Sequence, residues 1–480
     1  MSSSGHYDAE FLEEVRMCRR SDAPVVALAD DLSGAAEAAA LLRLPARLIL
    51  NPAELGISGA AGEAVVVDLD SRYLDGGTAA AAVRAALGAV ERPPSAVGAP
   101  ADTDRDTAGS RAFRAVNSSE AYGDPLWFKK CDSLLRGPVG AEAAAFAEGA
   151  EVLVIATALP AARRVVRGGV VLVDGVPLHE SPAWRAEEHA APRSVAGALA
   201  PLPTADVPLE TVRQGPIALA GRFRELAARG RHPVCDAETD TDLTVIATAA
   251  DLLGPGARLL GSGGLAAALG RRLAARHAHG PPAGAGPAAA PPRATAAPAG
   301  VSAQVATGDG APSAAGGVAR PLLVVAGSAE PVVAEQVALL VAAGARHLPL
   351  APGELAGADG VVLPALAPGA VTVVTVDGSG GIRPGAARAV VAGLARAVSA
   401  VPGRPDLVLT GGETARRVLD ALGVTALRPV GEIHHGAVHC RTADGRSVVT
   451  RPGSFGGPDS FVRIAAALRP RHPSQQGVTQ

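Results

Sequence analysis

The sequence predicts an α/β protein with two domains: an N-terminal Rossmann-like domain built on a parallel sheet and a C-terminal α/β domain. The chain has 480 residues, and a single hydrophobic core stops growing at roughly 250–300 residues. In both halves, an apolar run such as residues 24–29 or 407–410 leads through a short polar turn into residues with helical spacing. A stretch rich in Pro, Ala and Gly separates the halves. Alternating strands and helices are typical of parallel sheets.

The composition argues against several classes of protein. The formal net charge of −3 gives no basic excess, so we expect no nucleic-acid partner. The sequence contains no apolar run long enough to span a bilayer, and its first twenty residues show no apolar leader, so we expect no membrane partner. The four cysteines are scattered, without a Cys-x-x-Cys pair, which indicates a reducing environment. We therefore expect a cytoplasmic protein.

Composition along the chain predicts five segments. Residues 1–22 are polar and form an N-terminal extension, and residues 23–276 form the first domain. Residues 277–318, which include GPPAGAGPAAAPPRATAAPAG, cannot bury a core and form a disordered linker. Residues 319–470 form the second domain, and residues 471–480 form a disordered tail.

The turn after the first strand contains two carboxylates, Asp30 and Asp31. It follows residues 24–29 and precedes Ala35 and Ala38, which begin a helical pattern. Open α/β sheets bind ligands at the carboxyl edge of their strands, where this turn lies. Asp is also an ordinary helix cap, and a purely structural role for one of the two is an equally good interpretation.

A second strand at residues 64–67 also ends in charge, at Asp68 and Arg72, before a predicted helix at residues 74–90. Residues 91–124 are polar and irregular and predict a flexible insertion.

The densest group of charges and hydroxyls in the chain is LWFKKCDSLLRGPVGAE, residues 126–142. Cations at the end of a short apolar strand suit a site that binds anions. The Arg guanidinium donates two parallel hydrogen bonds to a carboxylate or phosphate, and Lys adds a positive point charge. A solvated charged turn after an edge strand is the alternative. The polar residues of this stretch are Lys129, Lys130, Asp132, Ser133 and Arg136.

Two glycine-rich turns in the second half are candidates for phosphate binding. A glycine turn between strand and helix leaves backbone N–H groups free to donate to phosphate oxygens, although a tight turn without a ligand is the alternative. The first such turn contains Gly411, Gly412, Glu413 and Thr414, and the second contains Gly453, Ser454 and Gly456.

Further strands are predicted at residues 151–156, 322–326, 360–363 and 371–376, and a hairpin arm at 170–176.

With these pieces in order, the chain resembles the four-carbon acid sugar kinase family, whose members use ATP to phosphorylate threonate, erythronate or 3-oxo-tetronate. The resemblance rests on Gly327-Ser328 with Gln336 and on five longer motifs spread over both halves, in the family's order. They are ADDLSGA at residues 29–35, VVVDLDSR at 65–72, KKCDSLLRGPVGAE at 129–142, TGGETA at 410–415 and GEIHHG at 431–436.

The resemblance implies that residues 23–276 bind the sugar acid and residues 319–470 bind ATP, with Mg²⁺ on its phosphates and a cleft that closes. It implies catalysis by Asp30 or Asp31 together with Lys130. Substrate binding then falls to Arg72, Lys129, Asp132, Ser133 and Arg136. Nucleotide binding falls to Ser328, Gly411, Gly412, Glu413, Thr414, Gly453, Ser454 and Gly456.

Some features stay open. The family's last glycine motif appears here as Arg451-Pro452-Gly453-Ser454, and the proline removes a backbone donor. This departure favours an alternative function, a catalytically impaired homologue that senses its ligand. The sequence leaves open the metal ligands, the identity of the acid and the oligomeric state, with a homodimer among the options. A nicotinamide-dependent dehydrogenase is disfavoured, because ADDLSG is not the GxGxxG motif.

Overall fold

The computed structural model describes residues 23–51, 62–91, 125–184, 187, 189–279, 320–327, 331–357, 360–377, 386–453 and 455–469. The predicted N-terminal extension, the C-terminal tail and most of the insertion and linker lie outside these residues.

Strands and helices alternate through most of the described chain. The strands are β1 (Val25–Ala29), β2 (Ala46–Ile49), β3 (Ala64–Asp68), β4 (Leu126–Lys130), β5 (Val152–Ala156), β6 (Arg164–Arg167), β7 (Val170–Val173), β8 (Val176–Pro177), β9 (Thr204–Val207), β10 (His232–Cys235), β11 (Ala257–Gly261), β12 (Leu322–Ala326), β13 (Arg346–Leu350), β14 (Val371–Val376), β15 (Asp406–Thr410), β16 (Ala426–His434), β17 (Ala437–Arg441) and β18 (Ser447–Arg451). The α-helices are α1 (Leu32–Leu41), α2 (Gly76–Glu91), α3 (Val139–Ala147), α4 (Val195–Ala198), α5 (Leu209–Val212), α6 (Pro216–Ala227), α7 (Asp240–Asp251), α8 (Gly263–His279), α9 (Pro331–Ala342), α10 (Pro352–Ala356), α11 (Ala387–Ser399), α12 (Gly412–Ala421) and α13 (Ser460–Leu468).

The N-terminal half is built on parallel strands in the order β2-β3-β1-β4-β11-β5-β10-β9. Strands β1, β3, β4 and β5 are buried along their whole length, as expected for parallel strands covered by helices on both faces. The hairpin turn predicted at Asp174-Gly175 joins β7 and β8 in a separate three-stranded sheet. The predicted Rossmann-like architecture is confirmed.

The C-terminal half is a second parallel sheet extended by antiparallel strands. Its order is β13-β14-β12-β15-β18, parallel throughout, followed by β17 and β16, which are antiparallel to their neighbours. Strand β16 also pairs with β2 through Ala426 and Leu427, so one sheet runs through both halves. Helix α1 of the first half packs against α12 of the second. Both contacts join the two halves.

The predicted strand at residues 360–363 is wrong. These residues have no regular secondary structure, and the side chain of Val362 is 88% exposed. The outer side of β14 is already paired with β13, so no edge of β14 is left for residues 360–363. Within the described chain, the helices are either too short or too polar to cross a bilayer.

Candidate active site

The turns after three adjacent strands bring opposite charges together at one edge of the N-terminal sheet. Strand β1 lies between β3 and β4 and is parallel to both. Their carboxyl ends therefore reach the same edge of the sheet. Asp30 follows β1, Arg72 lies beyond β3 and Asp132 follows β4. The structure thus unites three of the segments that the sequence singled out.

Arg72 binds both aspartates of the first turn. Its Nε donates to Asp30 Oδ2 at 2.7 Å, and its two terminal nitrogens donate to the two oxygens of Asp31 at 2.8 Å each. Asp31 also caps α1 by accepting a hydrogen bond of 2.9 Å from the Gly34 amide. These bonds hold the Asp31 carboxylate in one orientation.

A second pair extends the cluster. Asp132 accepts two hydrogen bonds of 2.8 Å from Arg136 and lies 3.9 Å from Arg72. Burial acts to raise the pKa of Asp132, but the positive charges of Arg136 and Arg72 outweigh it, so the pKa stays well below its ordinary value. Next to it, Ser133 Oγ accepts a hydrogen bond of 2.6 Å from Arg164.

The two lysines of β4 point to opposite faces of the sheet, as consecutive strand residues do. Lys130 Nζ lies 3.2 Å from Glu37 on α1, whereas Lys129 Nζ lies 3.2 Å from Glu142 on α3. Glu142 also accepts a hydrogen bond from Ser71. Lys130 therefore faces the same helix that Asp31 caps, and Lys129 supports the strand from the other face.

The pKa values of the two neighbouring aspartates are shifted in opposite directions. Burial acts to raise the pKa of Asp30, but the charges of Arg72, Lys129 and Lys130 hold it below its ordinary value. Burial raises the pKa of Asp31, and the negative charge of Asp30 adds to this increase, although Arg72 and Lys130 oppose it. Of the two, Asp31 is therefore the stronger proton acceptor.

Several buried oxygens near these charges lack a hydrogen-bond partner. Within the described part of the chain, nothing bonds to Asp30 Oδ1, Ser33 Oγ or Glu37 Oε1. An unpaired buried polar atom costs about 1–3 kcal/mol. Such atoms are typical of a site that a ligand or bound water completes.

The C-terminal half contributes a glycine turn between β15 and α12. Gly411 has a φ of +89°, a conformation that side chains disfavour, and it directly precedes the helix. The first N–H groups of a helix have no partner within the helix, so they are available to an anion. Thr414, in the first turn, packs so closely on Gly327 that a Cβ at Gly327 would lie 2.4 Å from its hydroxyl oxygen.

This glycine turn lies directly against the acidic turn of the other half. A Cβ added to Gly412 would lie 2.2 Å from Asp31 Oδ2 and 3.3 Å from Ser33 Oγ. The N-termini of α1 and α12 therefore meet with the Asp31 carboxylate between them.

Two ion pairs beside this contact also join the halves. Arg416 on α12 lies 2.9 Å from Asp68, and Arg417 pairs with Asp70. Burial raises the pKa of Asp68 to about 7; Arg416 opposes this increase and Asp70 adds to it.

The last glycine-rich loop is shaped by a buried arginine. The Arg451 guanidinium donates to Gln336, Ser460 and the carbonyl oxygens of Gly453 and Phe455. Burial lowers the pKa of Arg451 to about 10. The guanidinium thus binds the backbone of this loop from within the protein.

Phe455 of this loop reaches the N-terminal half. Its ring stacks on His435, with centroids 5.2 Å apart, and the Arg164 guanidinium lies 5.9 Å from its centroid. Gly456 has a φ of +85° and would clash with Ser460 if it carried a Cβ. The predicted nucleotide-binding residues Ser328 and Ser454 lie outside the described residues.

One edge of the N-terminal sheet thus holds Asp30, Asp31, Arg72, Lys130, Asp132, Ser133 and Arg136, and Gly412 lies against Asp31. Lys129 lies on the other face of β4. Sequence reasoning missed Glu37, Arg416 and Arg417 as members of this region, and it gave no separate role to Arg164 or Phe455. Arg416 and Arg417 follow the TGGETA motif directly, which was an available signal. Among the described residues, no cluster of three or more His, Cys, Asp or Glu side chains could hold a metal ion.

Two family models match the chain. The model described as a sugar-binding N-terminal domain matches residues 102–269, and the model described as a nucleotide-binding C-terminal domain matches residues 323–461.

Curated relatives match across most of the chain. A D-threonate kinase of Cupriavidus necator is 30% identical over 453 residues, which cover 89% of this chain and 94% of the relative. A D-threonate kinase of Bordetella bronchiseptica is 30% identical over 382 residues, which cover 74% of this chain and 81% of the relative. A 3-oxo-tetronate kinase of Methylobacterium radiotolerans is 30% identical over 387 residues, which cover 75% of this chain and 85% of the relative.

Solved structures share the fold. A Salmonella typhimurium LT2 protein described as a putative tRNA synthase has a TM-score of 0.64 at 19% identity, covering 92% of this chain and 98% of its own. A Haemophilus influenzae protein has a TM-score of 0.59 at 19% identity, and the match covers 92% of this chain and 99% of that protein.

Proposed function

The chain belongs to the four-carbon acid sugar kinase family, and from this premise we propose that it transfers a phosphoryl group from ATP to a terminal hydroxyl of a four-carbon sugar acid. Threonate, erythronate and 3-oxo-tetronate are the candidate acceptors.

One observation carries the proposal: the Asp31 carboxylate lies against Gly412 while Arg72 and the Gly34 amide fix its orientation. Phosphoryl transfer depends on positioning, on neutralising charge and on a base for the attacking hydroxyl. A base and a phosphate-binding turn must therefore lie side by side, and here each half of the chain supplies one of them.

We assign Asp31 as the general base and Asp30 as the residue that, through Arg72, keeps it in place. The acceptor hydroxyl loses its proton to Asp31 as its oxygen bonds to the γ-phosphorus. The bond between the γ-phosphorus and the β–γ bridging oxygen breaks, and ADP leaves with that electron pair. Burial raises the pKa of Asp31 above its ordinary value, which suits this role because a higher pKa makes a carboxylate a stronger base.

The remaining polar residues of the cluster hold the two substrates. Lys130 lies beside the acidic turn and neutralises charge during transfer, while Asp132, Ser133 and Arg136 line the acceptor side. Lys129 pairs with Glu142 on the other face of β4, so we assign it to supporting the strand.

The nucleotide binds on the C-terminal side. The backbone amides of the turn from Gly411 to Thr414 bind phosphate oxygens, and the loop containing Gly453 and Gly456 covers the nucleotide. Mg²⁺ usually binds through phosphates and one or two carboxylates. The unpaired Oδ1 of Asp30 fits such a site. Bound there, Mg²⁺ would neutralise charge on the phosphates.

The test is an ADP-release assay over D- and L-threonate, D- and L-erythronate and their 3-oxo forms, with the phosphoester identified by ³¹P NMR. We expect turnover with at least one acid. Asp31→Asn should lower kcat by about 10²–10⁴-fold, while the Kd for ATP, measured by calorimetry, changes little.

Asp75→Asn is the matched control, because Asp75 accepts a hydrogen bond of 3.0 Å from the Thr78 amide at an exposed helix start. It should retain full turnover. Binding of an acid without ADP release by the wild-type protein would favour a ligand sensor, and full turnover in Asp31→Asn would remove this carboxylate from the mechanism.

A further inference from the structure

Most cations of the candidate active site are already neutralised by protein carboxylates. A sugar-acid carboxylate that approached them would compete with groups held at hydrogen-bond distance. The pairs are Arg72 with Asp30 and Asp31, Arg136 with Asp132, and Lys130 with Glu37.

Arg164 differs from these cations. Among the described residues, no carboxylate lies within ion-pair distance of its guanidinium. Its contacts there are the 2.6 Å hydrogen bond to Ser133 Oγ and the ring of Phe455 at 5.9 Å. An Arg side chain has five N–H donors, so one bond to a hydroxyl leaves most of its hydrogen-bonding capacity for a ligand.

Burial and the charge of Arg136 lower the pKa of Arg164, although Asp132 opposes the effect. A cation that is partly desolvated without a close counter-ion gains more from an incoming anion than an exposed one does. The neighbouring Arg163 offers a contrast: its side chain is 80% exposed and pairs with Asp174 at 2.6 Å.

We propose that Arg164 is the residue that binds the carboxylate of the sugar acid, in a forked contact that Ser133 and Phe455 orient. The inference rests on the proposed kinase function and specifies how its substrate is recognised. Ser133 fixes one edge of the guanidinium from the N-terminal half, and Phe455 covers it from the C-terminal half. The carboxylate thereby binds at the border of the two halves, with the far hydroxyl directed to Asp31.

The test compares wild type, Arg164→Ala, Arg164→Lys and the control Arg163→Ala. Binding of the acid is measured by calorimetry, and turnover is measured with the preferred acid. Loss of a charged forked contact should raise the Kd and KM for the acid by about 30–100-fold in Arg164→Ala, with an intermediate effect in Arg164→Lys. The KM for ATP should stay within about twofold, and Arg163→Ala should match wild type.

Two further measurements separate binding from structure. Millimolar guanidinium should restore part of the turnover of Arg164→Ala, which a merely misfolded site would not show. Threitol, which lacks the carboxylate, should bind wild type and Arg164→Ala equally weakly.

The outcomes also separate this inference from the proposed function. If wild type turns over an acid and Arg164→Ala binds that acid as tightly as wild type does, the role of Arg164 is refuted and the kinase function is retained. If wild type binds an acid without ADP release, the kinase function falls, and the calorimetric comparison still decides the role of Arg164. If no four-carbon acid binds wild type, both fall.

Discussion

The contact between Gly412 and Asp31 predicts a large effect from a single added methyl group. In Gly412→Ala, the new Cβ would lie 2.2 Å from Asp31 Oδ2, about 1 Å short of ordinary van der Waals contact, which begins at 3.4 Å. Asp31 cannot move aside without breaking its bonds to Arg72 or to the Gly34 amide. The two halves must therefore separate locally, or Asp31, the proposed base, must leave its position.

A misplacement of about 1 Å in an active site costs on the order of 10²-fold in rate. We accordingly expect Gly412→Ala to lower kcat/KM for the acid by about 10²-fold. The amide of residue 412 is retained, so the Kd for ATP should change by no more than a few fold. Because the substitution acts through Asp31, adding it to Asp31→Asn should cause little further loss.

The assay is steady-state turnover combined with ATP calorimetry. Gly353→Ala is the control, since Gly353 also lies in the first turn of a helix and a Cβ there meets nothing within 4 Å. Wild-type kcat/KM in Gly412→Ala would refute the reasoning, because it would mean that the two turns do not meet during catalysis.

Two further predictions concern stability. Burial raises the pKa of Asp68 from 3.8 to about 7, so between these pH values the native protein holds a proton that the unfolded chain has released. The unfolding free energy of wild type should fall relative to Asp68→Asn as the pH rises through this window, by at most about 4 kcal/mol; a constant difference in urea titrations would contradict this. Arg451→Gln leaves the oxygens of Gln336 and Phe455 without their donor and should lower the unfolding free energy by about 2–4 kcal/mol. Arg404→Gln, at an arginine 76% exposed, should have almost no effect, and equal effects of the two variants would contradict the buried role.

The parts of the fold that depend on local pattern could be predicted from the sequence. Strand β1, the acidic turn and helix α1 follow one another within a short segment, and each has an unmistakable composition. The same holds for β15, the glycine turn and α12. Because parallel strands carry their ligand sites at their carboxyl ends, the placement of the charged turns followed from the strand assignments.

The parts that depend on distant contacts could not be predicted. Strand β16 contains Pro429 and Gly431 and is largely exposed, so it has no buried-strand signal, although its pairing with β2 joins the two halves. Residues 360–363 are apolar enough for a strand, but β13 takes the available edge. A local pattern cannot show which of two segments pairs with a given strand.

In the candidate active site, too, the local pattern could be predicted and the distant contacts could not. The sequence identified Asp30, Asp31, Arg72 and the residues after β4 as a polar group. It could not show that Arg72 is already bound by two carboxylates, or that Arg164 is close to Phe455 of the other half. Such pairings depend on packing between elements far apart in the chain, and they decide which cations are available to a substrate.

A crystal structure of the complex with a non-hydrolysable ATP analogue and the preferred acid tests the central claim most directly. The account predicts the triphosphate on the amides of the turn at Gly411 and Gly412, and a terminal hydroxyl within hydrogen-bond distance of Asp31, about 2.6–3.2 Å. A nucleotide bound away from that turn, or an acid whose hydroxyls do not reach Asp31, would contradict it.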